Sequence, residues 1–355
     1  MGKYTSIGGQ ALIEGIMMKS PEKTALAVRT PDKSIEIVPL ESKSIKEKYN
    51  ILKLPILRGV VGFAESMIQG YKAMMVSAEK SGFTDLEEEE DKQKTKTERQ
   101  EKSQNALINF VMILGTVLGV ALSVVLFMWL PRLAVAGIEA LFSTALPKIV
   151  RSSIEQLIKL SVFVFYVWAV SLMKDIKRVF MYHGAEHKTI FCYEKGLPLT
   201  VENVRKQKRF HPRCGTSFMI LMILISVIFS TVVQMIFPSV YSIQWLWVTV
   251  KILLVPLICG AGFEVLKICG KYDNLLTRVI SAPGLWLQRI TTKEPEDDMI
   301  EIAIAALKAC EPEIPDVDRS VDDFEVIEVK NKENLDIKAQ IDSDIEKILK
   351  ETDNG

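Results

Sequence analysis

The sequence predicts a predominantly α-helical polytopic membrane protein: four transmembrane helices, a small N-terminal cytoplasmic segment containing a β-hairpin, and amphipathic helices. Three observations predict it. Four apolar runs reach the roughly 20 residues that a helix needs to cross a hydrocarbon core. The formal net charge of zero over 355 residues hides a segregation, in which long apolar runs alternate with densely charged stretches. Lys and Arg crowd alternate connections between the runs, the pattern of a multi-pass chain.

Ahead of the membrane, residues 1–50 carry β character. Thr24 to Thr30 and Ser34 to Leu40 flank Pro31-Asp32-Lys33, a composition that predicts a hairpin turn. Gly8, Gly9 and Gly15 permit backbone geometry closed to other residues. In residues 51–80, Val60, Phe63, Ala64, Met67, Tyr71, Met74 and Met75 recur at helical spacing. We read that stripe as core packing, with a helix lying in the membrane interface as the alternative. Residues 81–105 form a charged, solvated linker.

The four spans, within residues 106–270, are Ala106 to Leu130, Ile154 to Met173, Thr216 to Phe237 and Trp245 to Leu266. Glu155 and Lys159 lie near the start of the second, where a lysine can snorkel. The connection from Lys174 to Arg213 holds ten Lys/Arg residues, and more stand upstream of the first span and after the fourth. The connection Pro238 to Gln244 has none. This asymmetry places both termini and the middle loop, residues 174–215, in the cytoplasm of a cell with a bacterial-type inner membrane. The N-terminus lacks the charged and apolar regions of a secretory signal, so insertion would rely on internal segments. In residues 271–310, Met299, Ile302, Ala303, Ala306, Leu307 and Cys310 share a helical face, and Pro295, Asp297 and Asp298 suit its start. Residues 311–355 hold fifteen Asp/Glu against six Lys/Arg and read as an acidic, disordered tail, with a short helix near Ile341 to Leu349.

Composition narrows the function classes. Net neutrality gives no argument for nucleic acid as a partner. Five scattered cysteines, Cys192, Cys214, Cys259, Cys269 and Cys310, are an odd number without scaffold density, and imply reduced thiols. Few charges inside the spans leave little material for an ion pathway.

The chemistry-bearing residues lie in the middle loop. All three histidines are there, two of them in His183-Gly184-Ala185-Glu186-His187. On a helix, positions i and i+4 share a face, so His183 and His187 would meet one divalent metal, zinc above others. Glu186 would act as general base, as in the inverted H-x-x-E-H pattern. His211-Pro-Arg-Cys214 adds an imidazole and a thiolate in the same loop. Four protein ligands would make a closed structural site, and three would leave a catalytic position open. Against this stands Gly184, which costs about 1 kcal/mol in a helix interior, and the plainer reading of a basic loop whose histidines meet lipid headgroups or pack locally. Arg209 and Arg213 would hold an anionic headgroup or a carboxylate. Glu264, an acid in an apolar run, needs a partner: it is either a further ligand, the mate of Arg209 or Arg213, or a snorkelling side chain. Glu14, between glycines, is a weaker candidate.

At these residues the chain resembles a bacterial family of uncharacterised multi-pass membrane proteins, the YqhQ-like family, described as predicted metal-dependent enzymes. The segments that carry the resemblance are Gly8 to Met18 (GGQALIEGIMM), Tyr182 to Thr189 (YHGAEHKT), His211 to Ser217 (HPRCGTS) and Thr291 to Pro295 (TTKEP). It implies a metal-dependent enzyme without naming a reaction. Two function classes follow. One is a membrane-embedded metal-dependent hydrolase acting on a lipid-linked or peptide bond at the cytoplasmic membrane face. The other is a non-enzymatic accessory subunit for protein insertion or assembly, with membrane-protein partners and a structural metal clip.

Overall fold

The structure is a computed structural model that describes residues 7–40, 44–82, 114, 117–119, 121–143, 145–272, 274–311 and 327–328. Most of the expected charged linker, the start of the expected first span and nearly all of the acidic tail, its expected short helix included, lie outside the described residues.

The N-terminal segment holds more than a hairpin. Strands β1 (Gly8–Leu12), β2 (Gly15–Lys19), β3 (Thr24–Arg29) and β4 (Ile35–Leu40) form an antiparallel sheet in sequence order, and β5 (Ile327–Glu328) joins β4 in parallel. Leu12 faces Gly15 across the first turn, where Glu14 takes φ 50°; Arg29 faces Ile35 across the expected second turn, where Lys33 takes φ 69°. Both faces of the sheet are covered, which is why TALAVR shows no polar alternation. Leu26 and Val28 pack toward Ala73 of helix α1 (Leu57–Lys80). Ala25 and Ala27, small enough for close approach, lie under helix α9 (Asp297–Cys310). The stripe expected on α9 is buried throughout.

The stripe expected on α1 is core only in part: Met74 packs against the Leu26–Ala73 cluster. Met67, Tyr71 and Met75 are 57%, 69% and 53% exposed, and the helix seats instead through Gly59, Gly70, Ala73 and Ser77. The reason is steric. A Cβ on Gly70 would stand 2.3 Å from Gln10 Oε1, so a larger residue there would push the Gln10 side chain of β1 aside. Periodicity marks an apolar face without saying what covers it.

Among the described residues, four helices are long and apolar enough to cross a membrane: Val117–Leu141, Val150–Val170, Gly215–Ile236 and Trp245–Lys271. In the first, a π-helical turn (Val125–Trp129) leads into α2 (Leu130–Leu141). The second belongs to α3 (Lys148–Val170). The first helix therefore runs past the expected Leu130 boundary, and the expected loop from Pro131 to Ser153 is mostly helical. Its charges pair along the helical hairpin, Arg151 with Glu139 (3.3 Å) and Arg132 with Glu155 (3.8 Å), while Lys159 reaches Glu155 at 2.8 Å.

The expected loop 174–215 is largely helical too. Helix α4 (Lys174–Glu194) and the short α5 (Val201–Arg205), capped by Thr200, fill most of it. Then come α6 (Gly215–Ile236) and α7 (Gln244–Lys271), an antiparallel pair packed through Leu221, Ile225 and Ile258. Helix α8 (Leu275–Thr291) starts from an Asn274–Thr277 capping box. Gly184, the residue that argued against a helix, permits one. A Cβ there would lie 2.0 Å from the Lys293 carbonyl oxygen, so glycine lets the chain after α8 cross α4 and bond Lys293 N–H to Phe180 O at 2.8 Å.

Candidate metal centre

Helix α4 presents two functional faces. On one, Arg178, Tyr182 and Glu186 point to the first β-turn and β1. Arg178 forms a two-bond ion pair with Glu14, and Tyr182 Oη donates to Glu14 Oε2 at 3.0 Å. Glu14 is thus a structural anchor between sheet and helix, which corrects its candidacy as a site carboxylate. Glu186 is buried and takes the backbone N–H of Gly9; burial raises its carboxyl pKa. Gly9 is required there, since a Cβ would sit 3.0 Å from Glu186 Cδ and 2.8 Å from the Met17 carbonyl oxygen.

The adjoining face carries the histidines, close enough for His183 and His187 to act on the Glu186 carboxyl. His183 Nδ1 lies 2.8 Å from the Thr291 carbonyl oxygen, and His187 Nδ1 lies 2.5 Å from that of Arg209. A carbonyl oxygen can only accept, so each ring holds its hydrogen on Nδ1 and leaves Nε2 as a donor atom, the arrangement that backbone carbonyls impose on metal-ligating histidines. His183 Nε2 is 3.1 Å from Cys214 Sγ. One donor atom each from His183, His187 and Cys214 fall within 4.8 Å of one another. Tetrahedral zinc bonds of 2.0–2.3 Å bring ligand atoms roughly 3.5 Å apart, so this donor set fits such an ion.

Cys214 is also the N-cap of α6, where its sulfur accepts from Thr216 N–H. Burial alone would raise its pKa, but His183 and His187 outweigh burial and hold the thiol well below its usual range. For His183, burial disfavours the charged ring, the Cys214 thiolate overcomes it, and the pKa rises to about 9. Both shifts favour an imidazolium beside a thiolate, and a cation held by Nε2 and Sγ would take the place of the Nε2 proton.

The sequence reading made His211 an alternative or additional ligand. The structure turns it away. Its Nδ1 accepts Arg213 N–H at 3.3 Å, its Nε2 faces Glu194 Oε2 at 3.6 Å, and its ring stacks 4.6 Å from Phe191. Its ring still lies 5.7 Å from that of His187, but His211 stands outside the group of donor atoms that His183, His187 and Cys214 bring together. Arg213 pairs with Glu194 and Arg209 with Glu294, so both expected anion-binding arginines are engaged by carboxylates of the protein itself. Glu264 is neither a ligand nor the mate of Arg209 or Arg213. It takes Arg58 Nε at 2.6 Å and Arg58 Nη2 at 2.5 Å.

Three supporting residues escaped sequence reasoning. Gln288, fully buried, accepts His211 N–H at 2.8 Å, donates to His211 O at 2.7 Å and to Ser217 Oγ at 2.8 Å. It fixes the turn that delivers Cys214. Lys188 is buried and donates to Arg205 O at 2.8 Å and to Glu294. Thr291 contributes a carbonyl. Thr291 and Glu294 fall within the TTKEP segment, a signal in hindsight; an amide at 288 in an amphipathic helix gives none.

Residues 54–313 match the family described as protein of unknown function (DUF1385). This chain belongs to that family. It is 36% identical over 298 residues to a protein of Bacillus subtilis (strain 168) named "Uncharacterized protein YqhQ", covering 84% of this chain and 89% of that one. No solved structure matches. The DUF1385 region takes in the whole His183–His187–Cys214 cluster together with Arg209, Gln288 and Thr291.

Proposed function

We propose that this DUF1385 protein is a membrane-embedded, zinc-dependent hydrolase whose site lies at the cytoplasmic membrane face. The observation that carries the proposal is the orientation of the two imidazoles, both locked by carbonyls with Nε2 turned toward Cys214. Two histidines and a cysteine are a three-ligand set, which leaves one tetrahedral position open. Bound there, zinc supplies a Lewis acid. Glu186 is the residue we assign to proton transfer: it is buried one residue before His187, and its carboxyl feels the charges of His183, His187 and Cys214. A lipid-linked or peptide bond is the substrate class that fits a site beside the bilayer.

The topology rests on two supports. Lys and Arg of the α3–α6 connection follow the positive-inside pattern. The strands of residues 8–40 share a core with α9, beyond all four apolar helices, and chain ends that share a core lie on one side of a bilayer, which favours both termini in the cytoplasm. Helix α8 fits the membrane interface beside them, because Leu275, Leu276, Val279 and Trp286 are exposed while Gly284 presses on Ser217 at the start of α6.

A second reading has its own observation. His187 and Cys214 are buried, and the cluster staples α4, α6 and the end of α8 together. That suits a structural clip in an accessory subunit of a membrane complex. Purified protein is expected to carry about one zinc per chain by elemental analysis, and His183→Ala and His187→Ala to carry almost none; equal metal in all three removes the site. Glu186→Gln separates the readings. It keeps zinc under both, abolishes function in cells under the first, and is mild under the second.

A further inference from the structure

Glu264 sits in the inner part of the fourth apolar helix, and what it binds is a hairpin. A short helix (Ile45–Lys48), a 3-10 turn (Asn50–Lys53) and the start of α1 fold back on each other, with Ile56 at the tip. The open end is closed by Glu65, which accepts from Ser44 Oγ and Ile45 N–H, both at 2.8 Å, and pairs with Lys46. The tip is keyed into α7. Ile56 N–H and the Arg58 guanidinium both bond the Glu264 carboxylate. A Cβ on Gly260 would lie 2.4 Å from Ile56 Cγ2 and 2.7 Å from Ile56 O.

Successive contacts fix the direction. Ile56 meets Gly260, Gly59 meets Gly260 and Phe263, and Gly62 meets Phe263, so α1 climbs parallel to α7 toward its cytoplasmic end. Roughly 10 Å of helix separate Gly260 from Lys267, the next cation along α7. Phe63 also stacks 5.5 Å from Phe218, one turn into α6.

The outer side of this hairpin is apolar and uncovered. Ile51 and Leu54 are 64% and 52% exposed, and Tyr49 and Leu57 are exposed with them. Yet the backbone makes few demands on water. Leu52, Leu54, Leu57, Arg58, Gly59 and Val60 N–H groups all have backbone partners, Ile56 N–H has Glu264, and Pro55 has no N–H to satisfy. Paired donors under apolar side chains are what hydrocarbon requires of any segment placed in it. Ile56 itself takes φ 70°, a conformation that a β-branched residue adopts only when its surroundings impose it.

We propose that residues 49–63 are a re-entrant hairpin that dips into the cytoplasmic leaflet beside the third and fourth spans, with lipid acyl chains covering its outer side. The inference rests on the reading of those helices as spans. The continuous surface argues for lipid: the hairpin extends the exposed apolar face of α7, where Leu253 and Ile252 also stand uncovered, into the depth at which α6 and α7 end. Lys46 and Glu65 close its mouth where headgroups and water begin. Lys53, bonded to Asn50, has the stem length to snorkel outward.

The test uses full-length protein in vesicles of phosphatidylethanolamine and phosphatidylglycerol. An environment-sensitive fluorophore is attached at Leu54→Cys and Ile51→Cys, one on each side of the 3-10 turn's end, at Leu253→Cys as a span reference, and at Glu22→Cys as a water reference. Unsubstituted protein gives the labelling background of the buried native thiols. Nitroxides carried on lipid acyl chains should quench Leu54 and Ile51 at least twofold more than Glu22, with strongest quenching from a shallower nitroxide than the one strongest at Leu253. Quenching of both hairpin probes at the Glu22 level, with Leu253 quenched, overturns the hairpin's place in the leaflet alone. Leu253 unquenched overturns the spans and the hairpin together.

Discussion

The sheet-α4-α9 unit and the α2–α3 hairpin are made from similar residues and solve opposite problems. In the first, Leu26, Ile302 and Leu307 are fully buried between layers. In the second, only 6% of each apolar window is buried, and Phe165, Leu157 and Leu133 stand open. Water drives the first unit together by expelling apolar surface. The second has no such drive between its helices if lipid already surrounds them, and its polar residues are the ones that pair, Arg132 and Lys159 with Glu155. One chain thus carries two kinds of apolar surface, one closed against itself and one left open, and the His183–His187–Cys214 cluster lies where they meet.

Four substitutions break or sharpen that contrast. Leu307→Asp places an unpaired charge in the water-type core and should cost about 4–5 kcal/mol or more, read as loss of folded protein in a thermal-shift or protease assay. Leu253→Asp puts the same charge on a side chain that is already exposed. A water-facing site would tolerate it within about 0.5 kcal/mol, whereas a lipid-facing one should lose about 3 kcal/mol of insertion, measured as the inserted fraction; a neutral result would dismantle the contrast. Gln288→Leu at the boundary removes the clasp on His211 and should cost about 2 kcal/mol with a 10–100-fold loss of zinc affinity, read by competition with a chelator.

The smallest effect is a pH dependence. Glu194 is held at about 2, because hydrogen bonds from His211 and Arg213 outweigh the opposing effect of burial. A depressed carboxylate lends stability above its ordinary value and loses it as pH falls through the folded value. Glu194→Gln should therefore cost about 1 kcal/mol above pH 5, with the difference shrinking as pH drops toward 2. A gap that stays constant over this range would show that the pair contributes nothing through charge.

Much of the fold was legible where one solvent ruled. The α9 stripe, the β3–β4 hairpin and the apolar runs were read from periodicity, length and turn residues, because burial in one medium imprints one pattern. The α1 stripe was read only in part, since an apolar face has the same period whether or not the protein covers it, and Met67, Tyr71 and Met75 stand exposed. The sequence put only the His183–His187 stretch on a helix, against the cost of Gly184, and gave no sign of the full length of α4; the reason for that glycine, the Lys293 carbonyl, comes from more than a hundred residues away in sequence. At the site, i and i+4 spacing placed His183 and His187 on one face, and the cap position brought Cys214 to them. Local spacing could not exclude His211, whose direction is set by Glu194 and Gln288. Nor could it pair Glu264 with Arg58, a partner that lies before the first span.

The shared core of the first strands and α9 has a consequence for synthesis. Residues 8–40 leave the ribosome long before residues 297–310, which cover one of their faces. At about 5–20 residues per second, the exposed Ile16–Ala27 surface waits tens of seconds for its lid. With the proposed topology, a polypeptide stalled or truncated after the fourth hydrophobic helix would keep its anchor in the bilayer while presenting uncovered strands to the cytosol, a form that quality-control proteases and holdase chaperones are built to find.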